Sequence, residues 1–229
     1  MENPKPSVDD EKRLAAEAAA REVQAGMLVG LGTGSTAAHA IRAIGASGLP
    51  IEAVATSEAS AALARQAGMR VRDFAEVARV DLTIDGADEI DGLFRAIKGA
   101  GGAMLREKIV ATASDRMVVI ADASKRVAAI GAAALPVEVL PFAASFVTKT
   151  LRRSFGQVMP RSGGTYRTDN GNMVLDCFGP ANSDWEALAA RLQAVPGVVG
   201  HGLFLTEVDA AYIAEGDVVT RLERRHGSG

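Results

Sequence analysis

Short apolar segments alternate with helical segments through the first 130 residues, and this alternation limits the folds open to the chain. Strands are predicted at 27–31, 51–55, 69–74, 80–84 and 117–121, and helices at 37–44, 58–67 and 103–113. A helix between successive strands forms a crossover that brings the second strand alongside the first in the same direction. The pattern therefore predicts an α/β fold built on a mostly parallel, Rossmann-like sheet.

The order of the predicted elements changes after residue 131. From there to residue 205 the pattern reads β-α-β-β-α-β, with an Asn-Gly pair at 170–171 that is typical of a tight hairpin. That order predicts a small ferredoxin-like α+β domain inserted into the larger one. We therefore expect a Rossmann-like domain formed by residues 1–130 and 206–229, and a small domain formed by residues 131–205. A first helix, capped by Asp9 or Asp10, is expected to precede the first strand.

Composition excludes several classes of function. The 229 residues are 48% hydrophobic and 23% charged, with a net charge of −3 that offers no basic field for nucleic acid. No apolar run is long enough to cross a membrane, and the N-terminus lacks the apolar region of a signal peptide. The single cysteine, Cys177, fits a reducing compartment and is expected to be a small packed residue. We expect a cytoplasmic protein with neither nucleic-acid nor membrane partners.

A glycine- and hydroxyl-rich loop follows the first strand and opens the second helix. It contains Thr33, Gly34, Ser35 and Thr36 and matches the loose dinucleotide pattern G-x-G-x-x-A. No acidic residue ends the second strand, where a dinucleotide ribose would need one. Exposed backbone N–H groups at a helix start favour a single phosphate instead. The simplest alternative is a tight turn with a capping hydroxyl.

Two carboxylates, Asp85 and Asp88, flank Gly86 and Ala87 directly after the strand predicted at 80–84. The carboxyl ends of parallel strands are where ligands of such sheets bind, which favours sugar-hydroxyl recognition and proton transfer. Gly86 is able to take a backbone conformation that other residues cannot. The alternatives are a loop with one capping aspartate and a magnesium site. The neighbouring Glu89 and Asp91 are interpreted as solvated charges.

Two lysines and a glycine-rich stretch are predicted at the same sheet edge. Lys98 precedes Gly99, Ala100 and Gly101, whose N–H groups could converge on an anion, and Lys125 follows the strand at 117–121. Glu107 lies in the first turns of a predicted helix. Taken alone, Glu107 is most simply interpreted as a surface acid. The three histidines, His39, His201 and His226, show no metal-ligand spacing.

Together these segments resemble ribose-5-phosphate isomerase of the A type. The resemblance runs from about residue 12 to residue 205 and rests on the following motifs: Gly32-Thr33-Gly34-Ser35-Thr36, Asp85-Gly86-Ala87-Asp88-Glu89, Lys98-Gly99, Arg106-Glu107-Lys108, Ile120-Ala121-Asp122-Ala123-Ser124-Lys125, Leu135-Pro136-Val137-Glu138-Val139, Thr168-Asp169-Asn170-Gly171-Asn172, and Pro196-Gly197-Val198 with Gly202-Leu203-Phe204. Ala100 departs from the family, which usually has glycine there, and a methyl group fits that position if the local φ is negative.

The resemblance implies interconversion of ribose 5-phosphate and ribulose 5-phosphate through an enediolate, in the non-oxidative pentose phosphate pathway, without a metal or organic cofactor. It implies that Glu107 is the general base. The roles of the remaining residues follow in the same way: Asp85, Asp88 and Lys98 in ring opening and movement of oxygen protons, and Thr33, Ser35, Thr36, Lys125 and Lys12 in binding the substrate and its phosphate. It also implies a homodimer or homotetramer.

Two other classes of function remain open at this point. A sugar-phosphate sensor domain of the same fold would bind the ligand without catalysis, but no DNA-binding helix-turn-helix fits ahead of Met27. A dinucleotide-dependent oxidoreductase is the other class, and titration with nicotinamide cofactors would detect it.

Overall fold

The computed structural model of the protein describes residues 6–180 and 184–224. Along the described chain the helices and strands follow in this order: α1 (Val8–Ala20), β1 (Leu28–Leu31), α2 (Ser35–Ala46), β2 (Glu52–Ala55), α3 (Glu58–Gln66), β3 (Arg70–Val71), β4 (Leu82–Gly86), β5 (Glu89–Ile90), β6 (Ala96–Ile97), α4 (Met104–Thr112), β7 (Met117–Asp122), β8 (Leu135–Val139), α5 (Ala144–Leu151), β9 (Phe155–Pro160), β10 (Met173–Pro180), α6 (Trp185–Gln193), β11 (Val198–His201), β12 (Leu203–Phe204), β13 (Ala210–Glu215) and β14 (Val218–Glu223).

The chain divides into two compact units. The first unit comprises Met1–Ala87, Glu107–Arg126 and Thr206–Gly229, and the second comprises Asp88–Arg106 and Val127–Leu205. Residues 88–106 and 127–130 thus group with the second unit, whereas the sequence pattern places them in the first domain. The reason is local pairing: β5 pairs with β6, and β6 pairs with β12, which lies near the end of the second unit.

The first unit is built on a seven-stranded sheet in the order β14-β13-β7-β4-β1-β2-β3. All neighbours in it are parallel except β13 and β14, which form an antiparallel pair. This confirms the predicted mostly parallel sheet. The central strands β7, β4 and β1 are almost entirely buried, because helices cover parallel strands on both faces. Their carboxyl ends therefore meet at one edge of the sheet, which we call the carboxyl edge.

The first helix begins differently from the prediction. Ser7, not Asp9 or Asp10, is the N-cap of α1, and its hydroxyl accepts a hydrogen bond from the Asp10 backbone N–H. The Asp10 carboxylate in turn accepts from the Ser7 backbone N–H at 3.1 Å. This reciprocal capping box explains why Asp10 lies inside the helix. The apolar face of α1 contributes Ala15, Ala16 and Ala19 to the core.

The second unit contains the predicted β-α-β-β-α-β succession, formed by β8, α5, β9, β10, α6 and β11. Its four strands lie in the order β11-β8-β10-β9 with antiparallel neighbours, as in a ferredoxin-like unit. A separate small sheet has the order β12-β6-β5. The core beneath the larger sheet is formed by strand residues such as Val137 and Leu175 and by Trp185 and Leu188 of α6.

β9 and β10 pair antiparallel, as the predicted hairpin requires, but the Asn-Gly turn at 170–171 does not join them directly. β9 ends at Pro160 and β10 begins at Met173, so a longer connection links them. The turn is closed by a hydrogen bond from the Gly171 N–H to the Thr168 carbonyl at 2.8 Å. Side chains of this segment bond to Glu138 in β8 instead of extending the ladder.

Candidate active site

The Gly32 loop connects β1 to α2 at the carboxyl edge of the first unit. The Gly32 N–H donates to the Ile84 carbonyl of β4 at 3.0 Å, which ties the loop to the neighbouring strand. Gly34 is the N-cap of α2 with a φ of 106°, a conformation that favours glycine, and it offers no side-chain cap. A Cβ atom at Gly34 would meet nothing within 4 Å, and the N-terminal N–H groups of a helix without a side-chain cap suit an anion.

The hydroxyl groups of the loop point in two directions. The Thr33 hydroxyl lies 2.8 Å from that of Thr56 and 2.9 Å from that of Ser57, in a partly buried cluster. The Ser35 hydroxyl is exposed and accepts a hydrogen bond from the Lys12 ammonium at 3.2 Å. Lys12 thus brings a positive charge to the start of α2. Thr33 is a partner of neighbouring hydroxyls, and Ser35 lies on the exposed side of the loop, where it bonds to Lys12 of α1.

Asp85 is fully buried near the end of β4, directly beside the Gly32 loop. Its Oδ1 accepts hydrogen bonds from the Thr33 N–H at 3.1 Å and from the Gly86 N–H at 2.7 Å. A Cβ atom at Gly32 would lie 1.9 Å from that same oxygen, so only glycine fits there. The predicted position of Asp85 at the carboxyl edge is confirmed. Gly86 lies within β4 without a left-handed φ, so the conformational freedom of glycine is not used there.

Glu107 lies in the first turn of α4, and only 4% of it is exposed. One turn further along the same helix face, Val110 packs in a small cluster with Val54 and Val80 of the sheet. Beyond the helix, the Ser114 hydroxyl lies 2.6 Å from that of Thr83, towards the start of β4. The helix therefore runs from the carboxyl edge to the amino edge, and Glu107 is at its carboxyl-edge end. The interpretation of Glu107 as a surface acid is wrong.

Lys125 lies in a 3-10 turn, Ala123–Lys125, that directly follows β7. The buried Asp122 carboxylate accepts a hydrogen bond from the Ser124 N–H at 3.1 Å and caps this turn. Because β7 neighbours β4 in the sheet, Lys125 lies at the same carboxyl edge as Asp85. The first unit thus groups the Gly32 loop, Asp85, Glu107 and Lys125 at one edge.

The second unit contains the remaining predicted residues. The Asp88 carboxylate accepts a hydrogen bond from the Ala100 N–H at 2.9 Å, so the acid contacts the glycine-rich stretch directly. Lys98 is only 2% exposed, and its ammonium lies 5.4 Å from the centre of the Phe204 ring. Gly99 has a φ of 109°, whereas Ala100 is not among the residues with positive φ, so its methyl group fits without strain. The stretch Gly99–Gly102 is called the glycine loop below.

Glu89 and Asp91 are buried, which corrects their interpretation as solvated charges. The Glu89 carboxylate accepts hydrogen bonds from the backbone N–H groups of Gly131 and Ala133, both at 2.6 Å. Asp91 forms an ion pair with Arg95 at 2.7 Å and also caps the intervening turn. Both acids stabilise the second unit. Cys177 is buried as predicted, and burial together with the Asp176 charge raises the pKa of its thiol far above the usual range.

Some residues around the predicted set gave no signal in the sequence. Arg161 and Tyr166 contact the glycine loop, but both lie in the connection after β9 and neither belongs to a recognisable motif.

Among residues 6–180 and 184–224, no group of three or more metal-ligating side chains is placed to hold a metal ion. In that same part of the chain, no helix is both long enough and apolar enough to cross a bilayer.

Comparison with known proteins decides the family. The family model described as Ribose 5-phosphate isomerase A (phosphoriboisomerase A) matches residues 52–218, more than half of the chain. This chain belongs to that family. A ribose-5-phosphate isomerase A of Sphingopyxis alaskensis is 51% identical over 221 residues, covering 94% of this chain and 96% of that protein. One of Caulobacter vibrioides is 47% identical over 225 residues, covering 95% and 99%.

Solved structures of ribose 5-phosphate isomerases share the whole fold. The isomerase A of Neisseria gonorrhoeae superposes with a TM-score of 0.93 at 36% identity, covering 97% of this chain and all (100%) of that one. A D-ribose-5-phosphate isomerase in complex with phospho-erythronic acid superposes with a TM-score of 0.90 at 30% identity, covering 96% and 100%. The family resemblance seen in the motifs is therefore confirmed, together with the α/β fold class.

Proposed function

We propose that this chain interconverts D-ribose 5-phosphate and D-ribulose 5-phosphate, with Glu107 as the general base. The observation that carries this proposal is the buried Glu107 carboxylate at the carboxyl edge, the same edge at which α2 begins with a helix start suited to a phosphate. Burying a carboxylate costs free energy. A buried acid at the edge where ligands of such sheets bind is suited to proton transfer. The reaction itself is proposed from the membership of this chain in the isomerase A family.

The phosphate end of the substrate is assigned to the Gly32 loop. The N–H groups at the start of α2, the Ser35 hydroxyl and the Lys12 ammonium together offer dipolar and charged donors to a phosphate monoester. Thr36 and Gly34 belong to the same helix start. Lys125, from the turn after β7, adds a second cation at that edge. These contacts act on substrate and transition state alike, so they contribute to binding.

The chemistry at the carbon end is proton transfer between neighbouring carbons. With the sugar in its open form, Glu107 would remove the proton from carbon 2 and return it to carbon 1, through an enediolate. The oxygen proton moves in the same sense, from the oxygen on carbon 2 to the oxygen on carbon 1, so atoms and charge balance. Asp85 and Asp88 are proposed for that oxygen proton and for ring opening, and Lys98 for stabilising the enediolate charge.

A solved relative supports the substrate class. A protein 30% identical to this chain is described in complex with phospho-erythronic acid. That ligand joins a phosphate to a carboxylate, and the two carboxylate oxygens resemble those of an enediolate. We expect phospho-erythronic acid to be a competitive inhibitor of this chain.

Catalysis is proposed to need neither metal nor organic cofactor. The test is incubation with ribose 5-phosphate in the presence of a strong chelator, with direct detection of the ketose. Turnover that continues in chelator is the expected result. Turnover that stops and returns with magnesium would show that Asp85 and Asp88 act through a metal, and no turnover under any condition would leave the sensor function.

Family membership favours the isomerase over the sensor domain and the oxidoreductase.

We also propose that the protein is a homodimer or homotetramer and that it is cytoplasmic. The exposed apolar side chains Leu140, Phe142 and Phe146 of the second unit support self-association, since Phe142 is fully exposed. Sedimentation equilibrium of the wild type and of Phe142→Glu tests this, and a monomeric wild type would contradict it.

A further inference from the structure

Arg161 lies directly after β9 in the second unit and forms a bidentate ion pair with Asp176 in β10. Its Nε donates to Asp176 Oδ2 at 3.0 Å and its Nη2 donates to Oδ1 at 2.5 Å, which is a two-pronged Arg–carboxylate pair. Both side chains are largely buried, with exposures of 14% and 18%. The pair fixes the plane and the direction of the guanidinium, so its third nitrogen, Nη1, points to one defined place.

That place is the glycine loop. Arg161 Nη1 donates to the Gly99 carbonyl and to the Ala100 carbonyl, both at 3.0 Å. The Gly99 carbonyl belongs to the same peptide group as the Ala100 N–H, which donates to Asp88 Oδ2 at 2.9 Å. A trans peptide directs its C=O and N–H to opposite sides. One peptide group therefore lies between a cation at its oxygen and a carboxylate at its nitrogen.

Tyr166 holds the next carbonyl of the loop in the same manner. Its hydroxyl donates to the Gly101 carbonyl at 3.0 Å, and Arg161 lies 5.4 Å from the centre of its ring. Gly102 is required here, because a Cβ atom would lie 2.0 Å from the Tyr166 hydroxyl oxygen. Three successive carbonyl groups of the glycine loop are thus bonded to two side chains of the second unit.

We propose that Arg161 and Asp176 are positioning residues that orient the Asp88 carboxylate through the Gly99–Ala100 peptide group. A cation bonded to the peptide oxygen polarises the group and strengthens its N–H as a donor to Asp88. Fixing the peptide plane also fixes the direction from which Asp88 is held. The inference rests on the proposed role of Asp88 in the isomerase reaction. Arg161 itself takes no part in the proposed proton transfers.

Arg161→Met tests this inference by kinetics. The expected loss in kcat is about 10–100-fold, the size usual for a hydrogen bond to a charged group, with KM changing less than kcat. The decisive comparison is a double-mutant cycle with Asp88→Asn. In the Asp88→Asn background, Arg161→Met is expected to lower kcat by less than about threefold, because the residue through which it acts is already changed.

Arg79→Met is the matched control. Arg79 forms an Arg–Asp fork with Asp115 just before β4, at the amino edge of the sheet in the first unit. Losing that fork is expected to leave kcat unchanged. If Arg161→Met does not fold, Arg161→Lys replaces it, since lysine keeps the charge but cannot bond Asp176 and the loop at once.

Hydrogen exchange of the Ala100 amide gives a readout independent of activity. It is expected to speed up about tenfold or more in Arg161→Met, while amides of β8 exchange as in the wild type. If Asp88→Asn keeps the wild-type kcat, the proposed role of Asp88 is wrong. The Ala100 exchange then still decides whether Arg161 holds the Gly99–Ala100 peptide group in place. If Asp88→Asn is slow while Arg161→Met keeps both wild-type kcat and wild-type exchange, the inference is overturned. Fully additive losses in the cycle would overturn it as well.

Discussion

Gly32 and Asp85 are complementary in shape, and this contact sets the geometry at the carboxyl edge. A methyl group at residue 32 would overlap the carboxylate, which could move only by giving up its hydrogen bonds from Thr33 and Gly86. We therefore expect Gly32→Ala to lower kcat at least tenfold and to destabilise the fold by about 1–3 kcal/mol, as overpacking does. Steady-state kinetics and urea unfolding measure the two effects.

Gly92→Ala is the control for that change. A Cβ atom at Gly92 meets nothing within 4 Å, so this variant is expected to keep both activity and stability. If Gly32→Ala behaves like Gly92→Ala, the contact between Gly32 and Asp85 has no role in the site.

Lys125 is expected to act in binding. Lys125→Ala should raise KM about 10–100-fold with little change in kcat, because a charged hydrogen bond to the phosphate acts in the ground state and the transition state alike. The exposed neighbour Arg126 offers the control, Arg126→Ala, with KM close to that of the wild type. A fall in kcat at constant KM in Lys125→Ala would place Lys125 at the reacting carbons instead.

At the scale of single elements, Glu138 joins β8 to the segment that precedes β10. Its Oε1 is fully buried and accepts hydrogen bonds from Thr168, Asn170 and Asn172 at 2.8, 3.0 and 2.9 Å. Removing the carboxylate leaves these donors without their acceptor, so Glu138→Ala should destabilise the protein by about 2–4 kcal/mol. Urea unfolding measures this, and Glu215→Ala, an exposed strand glutamate, is expected to cost little.

The sequence pattern predicted the elements of the first unit better than those of the second. The alternation Val80, Leu82, Ile84 placed Asp85 at a strand end because the period of a buried strand depends only on neighbouring residues. Glu89 was misread because its partners, the N–H groups of Gly131 and Ala133, lie some forty residues away in the chain. The Asn-Gly turn was misread for a similar reason, since Glu138 binds that segment from another strand.

The candidate site could be predicted only in part. Glu107 follows an ordinary helix pattern, and its burial depends on packing of α4 against the sheet, which no local pattern reports. The role proposed for Glu107 rests on the motif resemblance, since the residue pattern alone favours a surface acid. Arg161 had neither kind of signal, because its partners are backbone carbonyls that any sequence could offer.

At the scale of the whole molecule, stability should depend on pH through an ion network in the first unit. Burial raises the pKa of Glu22, but hydrogen bonds from Arg116 and Tyr212 outweigh it, so its pKa lies below the usual 4.5. The hydrogen bond from Arg116 likewise lowers the pKa of Glu223. A carboxyl group with a lowered pKa in the folded state stabilises the fold above pH 4.5. That contribution is lost as the pH falls through its folded pKa.

Glu22→Gln isolates this effect. At pH 7 the variant should be less stable than the wild type by about 1 kcal/mol or less, since the network is partly exposed. The difference in melting temperature between the two should shrink as the pH is lowered below 4.5, when Glu22 in the wild type becomes protonated. A difference that stays constant from pH 7 to pH 3 would show that the charge of Glu22 does not stabilise the fold.

The most direct test of the proposed mechanism is deuterium exchange at carbon 2 of ribose 5-phosphate, measured by NMR in D₂O for the wild type and for Glu107→Gln. Glutamine keeps the shape of the side chain but cannot accept the proton, so exchange and kcat should both fall by roughly 10²–10⁴ while the variant stays folded. Glu186→Gln, a first-turn change on the exposed side of α6, is the control and should behave as the wild type. If Glu107→Gln exchanges and turns over within about threefold of the wild type, Glu107 is not the base, a result that would contradict the mechanism proposed for this chain.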